Sequence, residues 1–372
     1  MPVKCQTIIS LIERLAPKSL AEDWDNVGIQ VGDQTLETGA VLVSLDLNPQ
    51  VVSEALSLGA NLVVTHHPVI FKPLKNIRAD LPMGRMLTDI IKNDIVVYSA
   101  HTNLDSAGEG VNQVLAELLE LEEIQVLNPE KSEKLYKIVV FIPDSHANDV
   151  GQAMTKAGAG WIGNYSDCTF SVKGKGTFKA TEGCSPFIGQ VGILEETPEI
   201  RLETVVKENQ VNRVIKAMVN AHPYEEVAYD LYPLANKAGE LGLGRVGRLK
   251  QVIKLSQFMD LAKKLLKVAE VRYCGDLEAE VRKIAVCGGS GASLIHKASF
   301  AGADVFLTGD IKYHEAQEAA ALGLNLVDAG HFATENPVVE KLAQYLESAF
   351  AVEDFSVPVY ISKSNYDVVR YY

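Results

Sequence analysis

Cysteine is scarce in this chain of 372 residues, with five spread over positions 5, 168, 184, 274 and 287. The number is odd and no two stand as CxxC, so neither a disulfide framework nor a thiolate zinc site is expected. Such usage suits a reducing cytoplasm. Long hydrophobic runs are missing as well. No apolar stretch reaches the ~18 residues of a membrane span. The opening MPVKCQTIISLIERLAP carries Glu13 and Arg14 as an amphipathic helix does, and as a signal-peptide core does not. Positive charge is in deficit, 35 Lys and Arg against 48 Asp and Glu for a net charge of -13, which argues against a broad electrostatic grip on nucleic acid. No segment is low in complexity or rich enough in Pro and Ser to be disordered.

What is present is a chain with 47% apolar residues, long enough to bury a sizeable core in two or three domains. Helix and strand patterns alternate over residues 1 to 130 and again from 241 to the end, which predicts a mostly parallel α/β sheet covered by helices. The two stretches look like one design used twice. VLVSLDL at 41 resembles IAVCGGS at 284, and GANLVVT at 59 matches GADVFLT at 302 without a gap. Between them, residues 131 to 240 read strand, helix, strands, helix, strand, the order of a ferredoxin-like α+β unit. LNPEKSEK at 127 and ANKAGELGLGRVG at 235 read as polar or glycine-rich connectors bounding that unit as an insertion.

Three short clusters carry the chemistry, each after an apolar run that reads as a buried strand: His66 and His67 in THHP, His101 and Asp105 in HTNLD, and His331 and Glu335 in HFATE. Sites in parallel α/β sheets form at the carboxyl ends of strands. Three such ends delivering imidazoles and carboxylates predict a pocket for one or two divalent metals. Adjacent residues on a strand face opposite ways, so His66 and His67 share a pocket only if the strand stops there, as Pro68 favours. His101 is either a ligand or a partner that orients one. Asp105 has the alternative of capping the helix that begins near Gly110. Glu335 stands at the start of a helix running through VVEKLAQYL, where a carboxylate also suits the dipole. In the repeat His66 and His67 correspond to Gly309 and Asp310, so the second half offers only Asp310 at that point. CGGSGAS at 287 is either an anion cradle or a tight turn between strand and helix. His314 in TGDIKYHEA follows another strand tip, with an ordinary helix surface as its alternative. His222 in HPYEE has no ligand partner at convincing spacing and reads as structural. The chemistry of the WDNVG run at 24 is not legible.

With WDNVGIQVGD at 24, THHPVIF at 65, SAHTNLD at 99, TGDIKYHEA at 308 and GHFATE at 330, the chain resembles the NIF-three-like family. Its members are commonly labelled GTP cyclohydrolase 1 type 2 homologues. The middle segment, ending in AHPYEEVAYDLYPL at 221, looks like the CutA-like or PII-like insertion of the longer members. The resemblance implies a dinuclear centre held by His66, His67, Asp105, His331 and Glu335, with Glu335 bridging. It also implies a toroidal homohexamer with its sites facing an internal cavity.

The function expected is metal-dependent hydrolysis of a small, nucleotide-like substrate with two divalent ions, Zn, Fe or Mn, and with His101 or His314 as general acid or base. The alternative is a metal carrier or regulator without turnover, whose middle unit serves as the sensing or docking module.

Overall fold

The structure, a computed structural model, describes residues 3 to 370, with the backbone alone at Lys237. The chain forms two compact units, Met1–Lys131 with Leu241–Tyr372, and Ser132–Glu240. Its elements begin with α1 (Cys5–Leu15), β1 (Gly28–Val31), β2 (Val41–Ser44), α2 (Pro49–Leu58), β3 (Leu62–Thr65), α3 (Pro82–Lys92), β4 (Val96–Ser99), α4 (Thr102–Ser106) and α5 (Val111–Leu118). Then come β5 (Glu122–Pro143), α6 (Ala147–Lys156), β6 (Thr169–Lys179), β7 (Leu194–Lys207), α7 (Val211–Ala221) and β8 (Tyr229–Lys254). The chain continues through α8 (Leu255–Leu266), β9 (Arg272–Cys274), β10 (Glu280–Ser290), α9 (Ile295–Phe300), β11 (Val305–Gly309), α10 (Tyr313–Ala321), β12 (Asn325–Asp328), α11 (His331–Glu335), α12 (Pro337–Glu353) and β13 (Val359–Ile361).

In the first unit one sheet runs β1-β4-β3-β2-β13, with the four strands from β4 to β13 parallel and β1 antiparallel on the edge. Every residue of β2, β3 and β4 is buried, as continuous apolar strands require when helices cover both faces. On one face α1 and α12 pack against Val41, Val43, Leu62 and Val64; on the other α2 and α3 pack against Leu42 and Val63. Local sequence fixes these helices. Asn48 caps α2 by accepting from Val51 N at 2.8 Å, Pro49 opens the helix, and Gly59 ends it at φ +66, where a side chain would be strained.

Strands β10, β11 and β12 repeat the arrangement. Val41 pairs with Leu62 and Val43 with Val64; Ile284 pairs with Val305 and Val286 with Leu307, the same spacing in both halves. Each half adds an antiparallel neighbour outside its third parallel strand, β1 on β4 and β9 on β12. The halves differ by one residue near the site. Thr65 pairs with Ser99 and Thr308 with Asp328, so His331 lies one position farther beyond its strand than His101 does. The extra residue is Gly330, at φ +89.

The second unit has its own core, where α6 and α7 lie on Ile138, Val140, Ile142, Ile200 and Leu202. Its strands are ordered β6-β7-β5-β8, with β7 antiparallel to both β6 and β5. The two segments read as connectors are strands instead: 127 to 134 lies within β5 and 235 to 247 within β8. Polar residues suffice there because a ladder satisfies backbone groups whatever the side chains. One side chain in the second connector is also deeply buried. The Arg245 guanidinium donates to the carbonyls of Gly242, Gly244 and Ala107 at 2.8 to 2.9 Å and to Gln113 Oε1 at 3.1 Å.

Candidate metal centre

The carboxyl ends of β3, β4, β11 and β12 meet at one point in the first unit. The ladder of β3 stops at Thr65, and the amides of His66 and His67 then reach back to Leu45 O at 3.1 and 3.0 Å. This hook turns both neighbouring imidazoles inward, their ring centroids 5.0 Å apart. His101 ends the extended segment after β4, and HTNLD becomes the short helix α4, which buries Asp105. HFATE forms α11 on its own; Pro337 starts a separate helix, so Glu335 closes one helix and does not open the next.

Donor atoms from both halves converge. Glu335 Oε2 lies 3.0 Å from His67 Nε2 and 3.1 Å from His331 Nε2, and those two nitrogens are 3.3 Å apart. His66 Nε2 is 3.7 Å from Glu335 Oε1 and 3.6 Å from Asp105 Oδ1. Three sets that could hold a cation result: His67 with His331 and Glu335, His66 with Asp105 and Glu335, and His66 with His67 and His101. His66 Nε2, Asp105 Oδ1 and Glu335 Oε2 are buried without a well-aligned hydrogen bond, which costs free energy unless another group engages them. Orphaned nitrogen and oxygen donors with this convergence fit a divalent metal, and a softer thiolate is not among them.

Each imidazole is anchored through Nδ1, leaving Nε2 for the centre. His66 Nδ1 donates to Ala100 O at 2.8 Å, His67 Nδ1 to Asp46 at 2.7 Å, His331 Nδ1 to Asp310 at 2.7 Å and His101 Nδ1 to Asp25 at 2.9 Å. Such outer partners fix ring tautomer and orientation at metal sites. Asp310 thus supports His331. At the His66-equivalent position stands Gly309, where a Cβ would fall 2.7 Å from His331 N, so a side chain there would collide with α11.

The acidic groups around the imidazoles make the cluster favour positive charge. Burial opposes charge on His67, but the carboxylates of Asp46 and Glu335 close to its two nitrogens prevail and raise it to about 10. The Glu335 carboxylate 3.1 Å away raises His331 to about 9 against its own burial. Burial would lift Glu335, yet the surrounding imidazoles hold it well below its ordinary value, while burial and the neighbouring Glu335 push Asp105 up despite His66. Burial, reinforced by Asp105 and Glu335, raises the Cys287 thiol, so it stays protonated beside the site.

CGGSGAS is the irregular end of β10 and the packed turn that follows it. Its amides at Gly288, Gly289 and Gly291 donate to Asn112, Thr334 and Thr308 at 2.9 Å each, which leaves those three groups unavailable to an anion. Asp105 does not cap the next helix; Gly110 precedes α5 without a side-chain cap. His314 is exposed at the start of α10, bonded to Gln317 at 3.0 Å, and joins none of the donor sets. His222 Nε2 donates to Phe141 O at 3.0 Å and its Nδ1 accepts from Tyr224 N, a structural role in the second unit. Burial holds its pKa below 6.5, so on acidification through that value the unfolded chain binds more protons, and stability is lost as the pH is lowered. Acidification from about pH 7.5 to about pH 5 is therefore expected to lower the unfolding temperature of wild type more than that of His222→Gln, measured by calorimetry.

Sequence reasoning missed Asp25 and Asp46. Asp46 lies two residues beyond the end of β2 as His67 does beyond β3, and that position at a strand tip was its available signal. Asp25, in WDNVG, has a fully shielded side chain that accepts from His101 Nδ1, from Thr102 N at 3.0 Å and from Thr102 Oγ1 at 2.5 Å. Burial works against its ionisation, but these bonds lower it to about 2. Asp25→Ala strands four donors, the Asn26 amide included, and is expected to cost about 2 kcal/mol, read as a lower denaturant midpoint at unchanged m value.

The class is that of an α/β protein with a duplicated, helix-covered unit whose histidine and carboxylate clusters at the strand tips could hold a metal ion. The sequence model of the Duf34/NIF3 (NGG1p interacting factor 3) family matches residues 3 to 367, and the chain belongs to that family. Two relatives, each named GTP cyclohydrolase 1 type 2 homolog, are similar along most of their length. One, from Halalkalibacterium halodurans, is 49% identical over 88% of both chains; the other, from Bacillus subtilis, is 45% identical over 98% of this chain and 97% of its own. A crystal structure of a Bacillus cereus protein related to NIF3 covers both chains fully, with TM-score 0.88 and 45% identity. Among the described residues no helix is long and apolar enough to cross a membrane.

Proposed function

We propose that the chain is a hydrolase of a small, nucleotide-like substrate that works with two divalent ions, Zn, Fe or Mn. The observation that carries this reading is Glu335. Its Oε2 faces His67 and His331 while its Oε1 faces His66, beside Asp105, so one carboxylate serves two donor sets. Metal ions at such a site supply Lewis acidity, an activated water and charge neutralisation. The protein's own part is positional. Asp46 and Asp310 hold His67 and His331, Ala100 O holds His66, and Asp25 holds His101 with its Nε2 toward the cluster, where it can pass a proton to or from a reacting group. His314 is the weaker candidate for that step because it lies outside the donor sets.

The label carried by the relatives supports cyclohydrolysis as a reaction class, and hydrolysis of a phosphoester calls for the same functions. We further propose that residues 131 to 240 are a ferredoxin-like, CutA-like or PII-like insertion in a domain of 1 to 130 and 241 to 372. The strand order of the second unit supports this. A toroidal homohexamer in the cytoplasm completes the proposal. The experiment is turnover of a nucleotide panel by the Zn-, Mn- or Fe-loaded protein, wild type against Glu335→Gln. A loss of about a hundredfold or more is expected. Equal rates overturn the reading, and a metal-loaded wild type that turns over nothing favours a carrier or regulator.

A further inference from the structure

The second unit holds a cleft of about 540 Å³ that the chemistry proposed above does not use. It lies between β6, the segment 180 to 188 that follows it, Glu199 and Arg201 of β7, and residues 224 to 228. Its size is in the range of small-molecule sites, about 300 to 1,000 Å³. The wall is aromatic. Tyr224 stands between Phe178 and Phe187, with its ring centroid 6.3 Å from each. Phe187 keeps 54% of its surface exposed, so this wall is not satisfied by packing within the unit.

Charge decides what fits. Of the cations lining the cleft, Lys173 pairs with Asp144 at 3.1 Å, Arg201 with Glu203 at 3.0 Å, and Lys175 with Glu196. These carboxylates lie outside the lining, so three positive charges are neutralised from behind. The lining carboxylates are engaged differently. Glu199 accepts from the Tyr224 hydroxyl at 3.1 Å, and Glu225 accepts from Ser185 N at 3.1 and 3.3 Å. Those donors are neutral and leave the negative charge in place. Glu199, Glu225 and Glu226 therefore face the cleft against Lys179. Aromatic faces add to the preference, since their quadrupole attracts cations.

We propose that this cleft binds a small organic cation, an amine with an apolar body that lies against Phe178, Phe187 and Tyr224 while its ammonium group meets Glu199 and Glu226. The inference is independent of the hydrolase reading and survives its failure. The test is calorimetric titration of the full chain with phenethylamine and benzyltrimethylammonium, beside the neutral 2-phenylethanol and the anionic 3-phenylpropionate. Both cations are expected to bind saturably, about tenfold or more tighter than the neutral and anionic probes. Glu199→Gln and Phe187→Ala should each weaken the cations about tenfold. If Glu199→Gln unfolds, the exposed Glu226→Gln takes its place. Equal binding of the three charge types overturns the proposal, as does no saturable binding of either cation. Concentration-dependent self-association abolished by Phe187→Ala, without cation binding, overturns it in favour of a second copy as occupant.

Discussion

Glu335→Gln is expected to reduce the metal held by the purified protein from the two equivalents per chain proposed above to less than about a tenth of one, measured by elemental analysis after dialysis. Glu335 is 3% exposed and is the one carboxylate shared by two of the three donor sets. The amide keeps the shape and removes the charge. His67 and His331 then lose the acceptor that holds their Nε2 atoms 3.0 and 3.1 Å from one oxygen, and the centre keeps only Asp105 as an acid. Losing a buried anion among imidazoles costs about 3 kcal/mol or more in affinity for a cation, a factor above about a hundred. The folded core should survive, because the side chain faces the centre. Full retention of metal by this variant would remove Glu335 from the site.

Gly289→Ala is the second large effect, and it acts without replacing a donor. Gly289 sits at φ +64, and a Cβ there would lie 2.1 Å from Glu335 Oε1 and 3.3 Å from His331 Nε2. A carboxylate cannot accept such an approach and must leave its place. Metal affinity is expected to fall about tenfold to a hundredfold, by the same reasoning that makes supporting contacts matter at metal sites. Backbone strain alone is separable through Gly302→Ala, where φ is +70 and no atom lies within 4 Å. That control should cost about 1 kcal/mol of stability and leave metal uptake unchanged. Equal metal affinity in the two variants would show that Glu335 tolerates the methyl group.

The strand tips were legible because apolar runs such as NLVVT and DIVVYS end at chemistry-bearing residues, and burial of β3 and β4 on both faces gives those runs their composition. The repeat was legible for the same reason. The supporting carboxylates were not. Asp25 meets His101 across 76 positions of chain and Asp46 meets His67 across 21, contacts that no periodicity encodes. The strands at 127 and 235 escaped notice because a ladder needs only backbone groups, so polar and glycine-rich sequence can serve. The one-residue difference at Gly330 was also hidden, since His-x-x-x-Asp and His-x-x-x-Glu align whatever precedes them.

His66, His67 and Asp105 are borne by one half of the repeat, and His331 and Glu335 by the other. A cation gripped by both would act as a staple across the seam, binding only conformations in which the halves are seated together. Mass action then couples seating to metal supply, so metal starvation would loosen the join before it melts either hydrophobic core.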